Sequence, residues 1–138
     1  MKKLMFVILA VLMILPVVVS CSSAPEGNPV AVSNFKVVTY QDAYAEDGTK
    51  GEGAVIYEGE VTAYVAEGAT MTLKDVIAGY VYDKGVDAVT NEAGTMYESL
   101  AGYANGNGFF WNYKVNGKEV SLATAVQATD TIEIVFEK

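Results

Sequence analysis

Residues 109–120 read FFWNYKVNGKEV, and the placement of this stretch decides the fold. Asn116-Gly117 is the pair that a type I′ turn selects, because both central positions take positive φ and these two residues tolerate it best. The spacing predicts a tight hairpin with one strand at 109–115 and its partner at 118–122. Side chains alternate along a strand, so Phe109, Trp111, Tyr113 and Val115 share one face, while Phe110, Asn112, Lys114 and Asn116 share the other. The first set reads as core, with Trp111 packing rather than binding. Phe110 is the odd ring, since it falls on the polar face. Two environments are open to it: burial beneath the neighbouring loop, or exposure as a surface on which a flat ligand or a partner can stack.

Working outward, 131–136 (TIEIVF) predicts a closing strand after a connection at 123–130. On the other side, 102–108 (GYANGNG) predicts a flexible loop and 95–101 (TMYESLA) a strand. The clearest helix starts at Thr72, which offers an N-cap with Asp75 three residues on, the capping-box spacing. Leu73, Val76, Ile77 and Tyr80 recur at helical spacing and form one apolar stripe. Gly85 offers a left-handed stop. A helix of about ten residues must pack on something to persist, and the stripe is expected to face the Phe109–Trp111–Tyr113–Val115 side of the hairpin strand. Upstream, 54–65 (AVIYEGEVTAYV) predicts one long bent strand or two short ones, with Gly59 at a bulge. Residues 43–53 predict an acidic, Gly-rich loop and 35–40 (FKVVTY) a first strand. Strands outnumber helices, so the expected class is α+β: a mixed or antiparallel sheet of four to six strands with one helix packed on it.

The N-terminus carries a different signal. Met1-Lys2-Lys3 is basic, and 4–19 is apolar except for Pro16. At 1.5 Å per residue this run would span only about 24 Å, short of a hydrocarbon core of about 30 Å. A basic start, an apolar run and a small residue at the cleavage point describe a secretory signal. Val18-Val19-Ser20-Cys21 resembles a bacterial lipobox, which implies lipidation of Cys21. Cys21 is the only cysteine in the chain, so it has no disulfide partner within it. Diacylation of the thiol together with N-acylation would hold the chain stably on a membrane. The expected division is therefore a signal peptide at 1–20, a lipidated Cys21 with a flexible tether to residue 33, and one domain at 34–138. The expected location is the bacterial cell envelope, outside the cytoplasm.

Composition narrows the chemistry. Loss of Lys2 and Lys3 would leave seven lysines against seventeen acids, a formal charge of −10. No basic patch is available to neutralise phosphates, which argues against nucleic acid as a partner. The chain has no histidine, and an acylated Cys21 is no nucleophile, so Ser-His and Cys-His catalysis and the usual zinc sites fall away. The acids are scattered through loops without the paired geometry of a glycosidase. Asp42, Glu46 and Asp47 before Gly48 miss the calcium-loop spacing, and Ala54 stands where the last ligand would be. No enzyme activity, metal or bound cofactor is expected.

The run GFFWNYKVNGKEV, followed by TDTIEIVFEK, resembles the transcobalamin C-terminal-like domain of bacterial surface proteins. Thr70 to Ile77, Tyr97 to Gly102, Trp111 to Lys118 and Asp130 to Phe136 follow in the order of that domain. Thr129-Asp130 stands where the family has Gly-Asp. The resemblance covers about residues 61–138 and implies a β-grasp-like fold that binds a soluble ligand, with a corrinoid as the implied ligand. It also implies that the hairpin lies on the ligand side. The expected ligand site is the edge formed by Tyr103, Phe110, Asn112 and Lys114, with a Gly-Asn loop that adapts to the bound shape. The alternative is an interaction or adhesion module with a protein partner and no small ligand. If that edge does not bind, the acidic loop at 42–52 is the next candidate.

Overall fold

The structure, a computed structural model, describes residues 25–138. The signal segment and Cys21 lie outside the described residues. Among the described residues, eight strands and one helix follow in the order β1 (Asn28–Thr39), β2 (Ala54–Val65), α1 (Leu73–Lys84), β3 (Ala88–Thr90), β4 (Tyr97–Leu100), β5 (Tyr103–Ala104), β6 (Phe110–Val115), β7 (Lys118–Glu119) and β8 (Thr131–Glu137). They form two sheets, not one. The larger has the order β2-β1-β8-β6-β7, and the smaller β3-β4-β5. β1 and β8 are parallel neighbours, whereas β1–β2, β6–β8 and β6–β7 are antiparallel. The α+β class stands.

The turn that opened the argument forms as its sequence dictates. Asn116 and Gly117 sit at φ 52 and 80, between Val115 and Lys118, which pair directly. Asn116 does more than turn the chain. Its side chain donates to Asp130 at 3.0 Å and accepts from the Thr131 backbone N–H at 2.9 Å, which ties the hairpin tip to the start of β8. The turn before β8 closes without a glycine, because the Asp130 carboxylate accepts the Gln127 N–H at 2.7 Å.

The helix is capped at both ends. Thr72 and Asp75 make the reciprocal capping box, and Gly85 takes φ 61 as the left-handed stop. The next two orphan donors, the N–H groups of Leu73 and Lys74, reach the carbonyls of Thr124 and Leu122. The segment after the hairpin thus seals the helix start. Leu73, Val76, Ile77 and Tyr80 are all buried. They lie mainly against β2 rather than β6: Tyr80 packs on Phe35 and Tyr57, at centroid distances of 5.1 and 5.4 Å. Gly79 makes the approach close, because a Cβ there would lie 1.9 Å from the Thr62 carbonyl oxygen.

Three boundaries differ from the sequence expectation. β1 begins at Asn28, seven residues early, and pairs with Val65 from its first residue. The second half of the stretch expected as a tether is therefore sheet, with Val32 fully buried. Pro and Gly upstream masked an alternating run, VAVSNF, that a bulge opposite Gly59 brings into register. β3 was not anticipated, since three residues carry too little periodicity to read. The hairpin partner is only two residues long because the chain leaves the sheet at Val120 to reach the helix N-terminus.

Candidate functional site

The larger sheet has one face in the core and one face outward. In-register rows fix which residues share each side. Val37, Ile134 and Tyr113 form one core row, and Thr39, Phe136 and Trp111 the next. The outward face carries the row Glu58–Lys36–Glu133–Lys114–Glu119, one residue from each of the five strands, with charges alternating in sign. Opposite charges directly across a pair favour the register and keep this side wet.

Phe110 stands on this outward face and is 50% exposed. Asn112 and Lys114 follow it at alternate positions, each half-buried. The strand alternation expected from sequence holds residue by residue: Phe109, Trp111, Tyr113 and Val115 are buried, and Phe110 is not covered by the adjoining loop. Around Phe110 the chain gathers charge. Its cross-strand partner is Glu137, which pairs with Lys50 from the β1–β2 loop and with Lys114 at 3.5 Å. Burial pushes the Glu137 carboxyl up, but the hydrogen bond from Lys50 and the charge of Lys114 outweigh it and hold the group below the usual carboxylate range. The same hydrogen bond raises the Lys50 ammonium. Lys50 also lies over the Tyr40 ring at 3.9 Å.

Tyr103 is not part of this site. Its ring lies on the core side, 5.6 Å from Phe136 and 6.5 Å from Trp111, across the sheet from Phe110. The structure brings Phe110, Asn112 and Lys114 together and separates them from Tyr103. The error has a physical source: Tyr103 belongs to β5, so its direction is set by the small sheet and not by the nearness of residue 103 to residue 110 in the chain. The Gly-Asn loop is also not adaptable in the way its composition suggests. Asn105 donates its side-chain N–H to the Tyr97 carbonyl and accepts the Trp111 backbone N–H. Gly106 and Phe109 exchange two backbone hydrogen bonds. The Trp111 indole N–H is held by the Tyr103 carbonyl at 2.8 Å. Trp111 is thus a buried, pinned strut between the two sheets.

The acidic loop at 42–52 is also built rather than loose. Tyr44 and Lys50 form a bridge, Ala45 and Thr49 are bonded, and Asp47 accepts the Thr49 N–H; the Thr49 side chain first, and then its N–H, hold the Asp47 carboxyl below the ordinary value. Among the described residues no group of acids could hold a metal ion, and no helix is long and apolar enough to cross a membrane. On the core side, a second concavity opens between α1, β2 and the β4–β5 turn. It is lined by Ile56, Tyr57, Tyr80, Lys84, Val86, Asp87, Ala101 and Gly102. No signal in the sequence pointed to it, because its residues come from four separate segments. No protein-family model matches this chain, and no curated protein matches it.

Proposed function

We propose that the chain is a lipoprotein of the bacterial cell envelope, anchored through Cys21, whose domain is a non-enzymatic binding module of β-grasp type. The strand order supports the β-grasp reading: two parallel strands occupy the centre, each flanked by an antiparallel neighbour, and the helix follows the first hairpin. Binding at the Phe110–Asn112–Lys114 face rests on one observation, that a half-exposed phenylalanine stands on the outward sheet face directly across from the ion-paired Glu137. The ligand class to test first is the corrinoid that the family resemblance implies: a broad, flat ring with amide arms that would stack on Phe110 and hydrogen-bond Asn112 and Lys114.

A protein partner is the second reading, and the exposed Val55 on the same sheet face as Phe110 favours it. Residues 22–138 titrated with cobamides separate the two. A ligand bound only to the native state at 100 times its Kd adds about 2.7 kcal/mol of stability, which a thermal melt detects. Phe110→Ala should abolish that shift and leave the unliganded melt unchanged. Absence of any cobamide-dependent shift rejects the corrinoid reading and leaves the protein partner. Anchoring is tested separately by Cys21→Ala, which should leave the membrane fraction. A variant retained there with unchanged mobility rejects the lipoprotein.

A further inference from the structure

We propose that the cleft between α1, β2 and the β4–β5 turn is a second binding site, which takes a small zwitterionic organic molecule with an apolar body, of the class of hydrophobic amino acids. It lies on the opposite side of the sheet from Phe110 and does not depend on that face. Tyr57 pairs with Val37, in a core-side row, whereas Phe110 pairs with Glu137 on the outward face. The cleft measures about 450 Å³, within the roughly 300–1,000 Å³ of small-ligand sites.

Tyr80 points to a ligand. It is 2% exposed, yet its hydroxyl has no hydrogen-bond partner among the described residues. The hydroxyls of Tyr40, Tyr82, Tyr97 and Tyr103 share that property, and what sets Tyr80 apart is its place on the cleft lining. No fully enclosed side-chain oxygen or nitrogen among the described residues lacks a partner. The Tyr80 hydroxyl must therefore open onto a surface, and the surface Tyr80 lines is this cleft. A phenol whose ring is buried and whose hydroxyl opens onto the cleft offers a fixed donor to a bound acceptor. Burial first, and then the neighbouring Tyr57, push its pKa up, so it stays a donor.

The rest of the lining fixes the ligand's charge. Lys84, the last residue of α1, holds its ammonium 5.1 Å from the Tyr57 ring centre and pairs with no carboxylate within 4.0 Å among the described residues. Asp87 lies on the same lining, and its backbone carbonyl accepts the Ala101 N–H, which fixes its position in the chain. Lys84 and Asp87 are both exposed on this lining and form no salt bridge with each other, which suits a molecule that carries both charges. Its carboxylate would accept from Lys84 and Tyr80, and its ammonium would donate to Asp87. Ile56, Val86 and the Ala101 methyl supply the apolar wall. Ala101 sits at φ 55, a strained position for a residue with a Cβ. Asn or Gly would suit the turn better, but neither would bring a methyl to this wall.

The test is a titration of residues 22–138 with L-phenylalanine in the millimolar range, followed by amide NMR. Phenylacetate, which has only the anion, and phenethylamine, which has only the cation, run alongside. Phenylalanine should move the amides of residues 56–57, 80–87 and 101–102 and bind about tenfold more tightly than either singly charged probe. Tyr80→Phe keeps the ring and the fold, and should weaken phenylalanine about threefold to tenfold, the size of one hydrogen bond. Lys84→Gln should erase the preference for phenylalanine over phenethylamine. The proposal is overturned if no amide moves, if the perturbed residues cluster at 110–114, or if Tyr80→Phe binds as tightly as the native chain.

Discussion

Phe110 and Trp111 are adjacent residues with opposite jobs, and the difference is set by strand parity alone. Trp111 is 3% exposed, packs on Phe136 at 5.1 Å and donates its indole N–H across to β5. Removing a buried ring of this size leaves a cavity that costs about 3–5 kcal/mol, so a urea melt of Trp111→Ala should show a loss of that order. Phe110→Ala removes a half-exposed ring and should change stability by no more than about 0.5 kcal/mol. The reverse pattern would mean that the two faces of β6 have been exchanged. Gly79 makes a sharper case. Alanine is better than glycine in a helix by about 1 kcal/mol, yet a Cβ here meets the Thr62 carbonyl oxygen at 1.9 Å. Backbone cannot rotate away as a flexible side chain can, and overpacking of this kind costs about 1–3 kcal/mol or more. Gly79→Ala should therefore lower the urea midpoint, and a raised midpoint would refute the close approach of α1 to β2. Parity was legible in the sequence at 109–115, because Trp111, Tyr113 and Val115 alternate with Asn112 and Lys114 up to the Asn-Gly turn. The role of Gly79 was not, because it depends on what lies across the helix and not on the helix itself.

Hairpin and helix ends are where local chemistry and tertiary structure agree. Gly117 has φ 80, and a Cβ there would meet nothing within 4 Å. Gly117→Val therefore isolates backbone strain from packing. A β-branched residue at positive φ should cost about 1–3 kcal/mol, read as a fall in the urea midpoint, and an unchanged melt would place the turn elsewhere. The capping box at Thr72, the left-handed stop at Gly85 and the long bent β2 were likewise legible, since each is specified by residues within one turn or one strand. The small sheet was not. β3 and β5 have three and two residues, too few for periodicity, and they exist because β4 and Asn105 give them partners. Composition misled in the same place: Gly and Asn at 105–108 suggest mobility, whereas Asn105 is spent on the Tyr97 carbonyl and the Trp111 N–H. Tyr103 fell on the other side because it belongs to the small sheet, whereas Phe110, Asn112 and Lys114 share one face because one strand carries all three.

At the scale of the whole molecule, the two sheets share a core that contains the buried tyrosines Tyr80, Tyr97 and Tyr113, which makes the domain sensitive to alkali. Burial first, and then the neighbouring Tyr113, push Tyr97 up to about 12, against about 10 for a free phenol. The folded state thus prefers the neutral ring. That preference is fully present below pH about 10 and is lost as the pH rises through 12, a contribution on the order of 2–3 kcal/mol by linkage. Urea midpoints should fall across this window, and Tyr97→Phe should fall less steeply than the native chain. An equal slope in both would assign the alkaline loss to other groups. The last consequence concerns orientation, and it rests on the proposed anchor at Cys21. β1 starts at Asn28 beside Val65 and ends at Thr39 in register with Phe136, a rise of roughly 36 Å at 3.3 Å per residue. Only six residues, 22–27, separate Cys21 from the sheet, a reach of at most about 21 Å. The Val65–Glu67 end of the domain is therefore held next to the bilayer, and Phe110, which pairs with Glu137 at the Thr39 end, faces away. Purified lipidated protein in vesicles containing a headgroup quencher reads this directly. A fluorophore on Glu67→Cys should be strongly quenched, and one on Phe110→Cys only weakly. Equal quenching at the two positions would mean that the domain lies along the membrane, with its Phe110 face against the lipid rather than open to a partner.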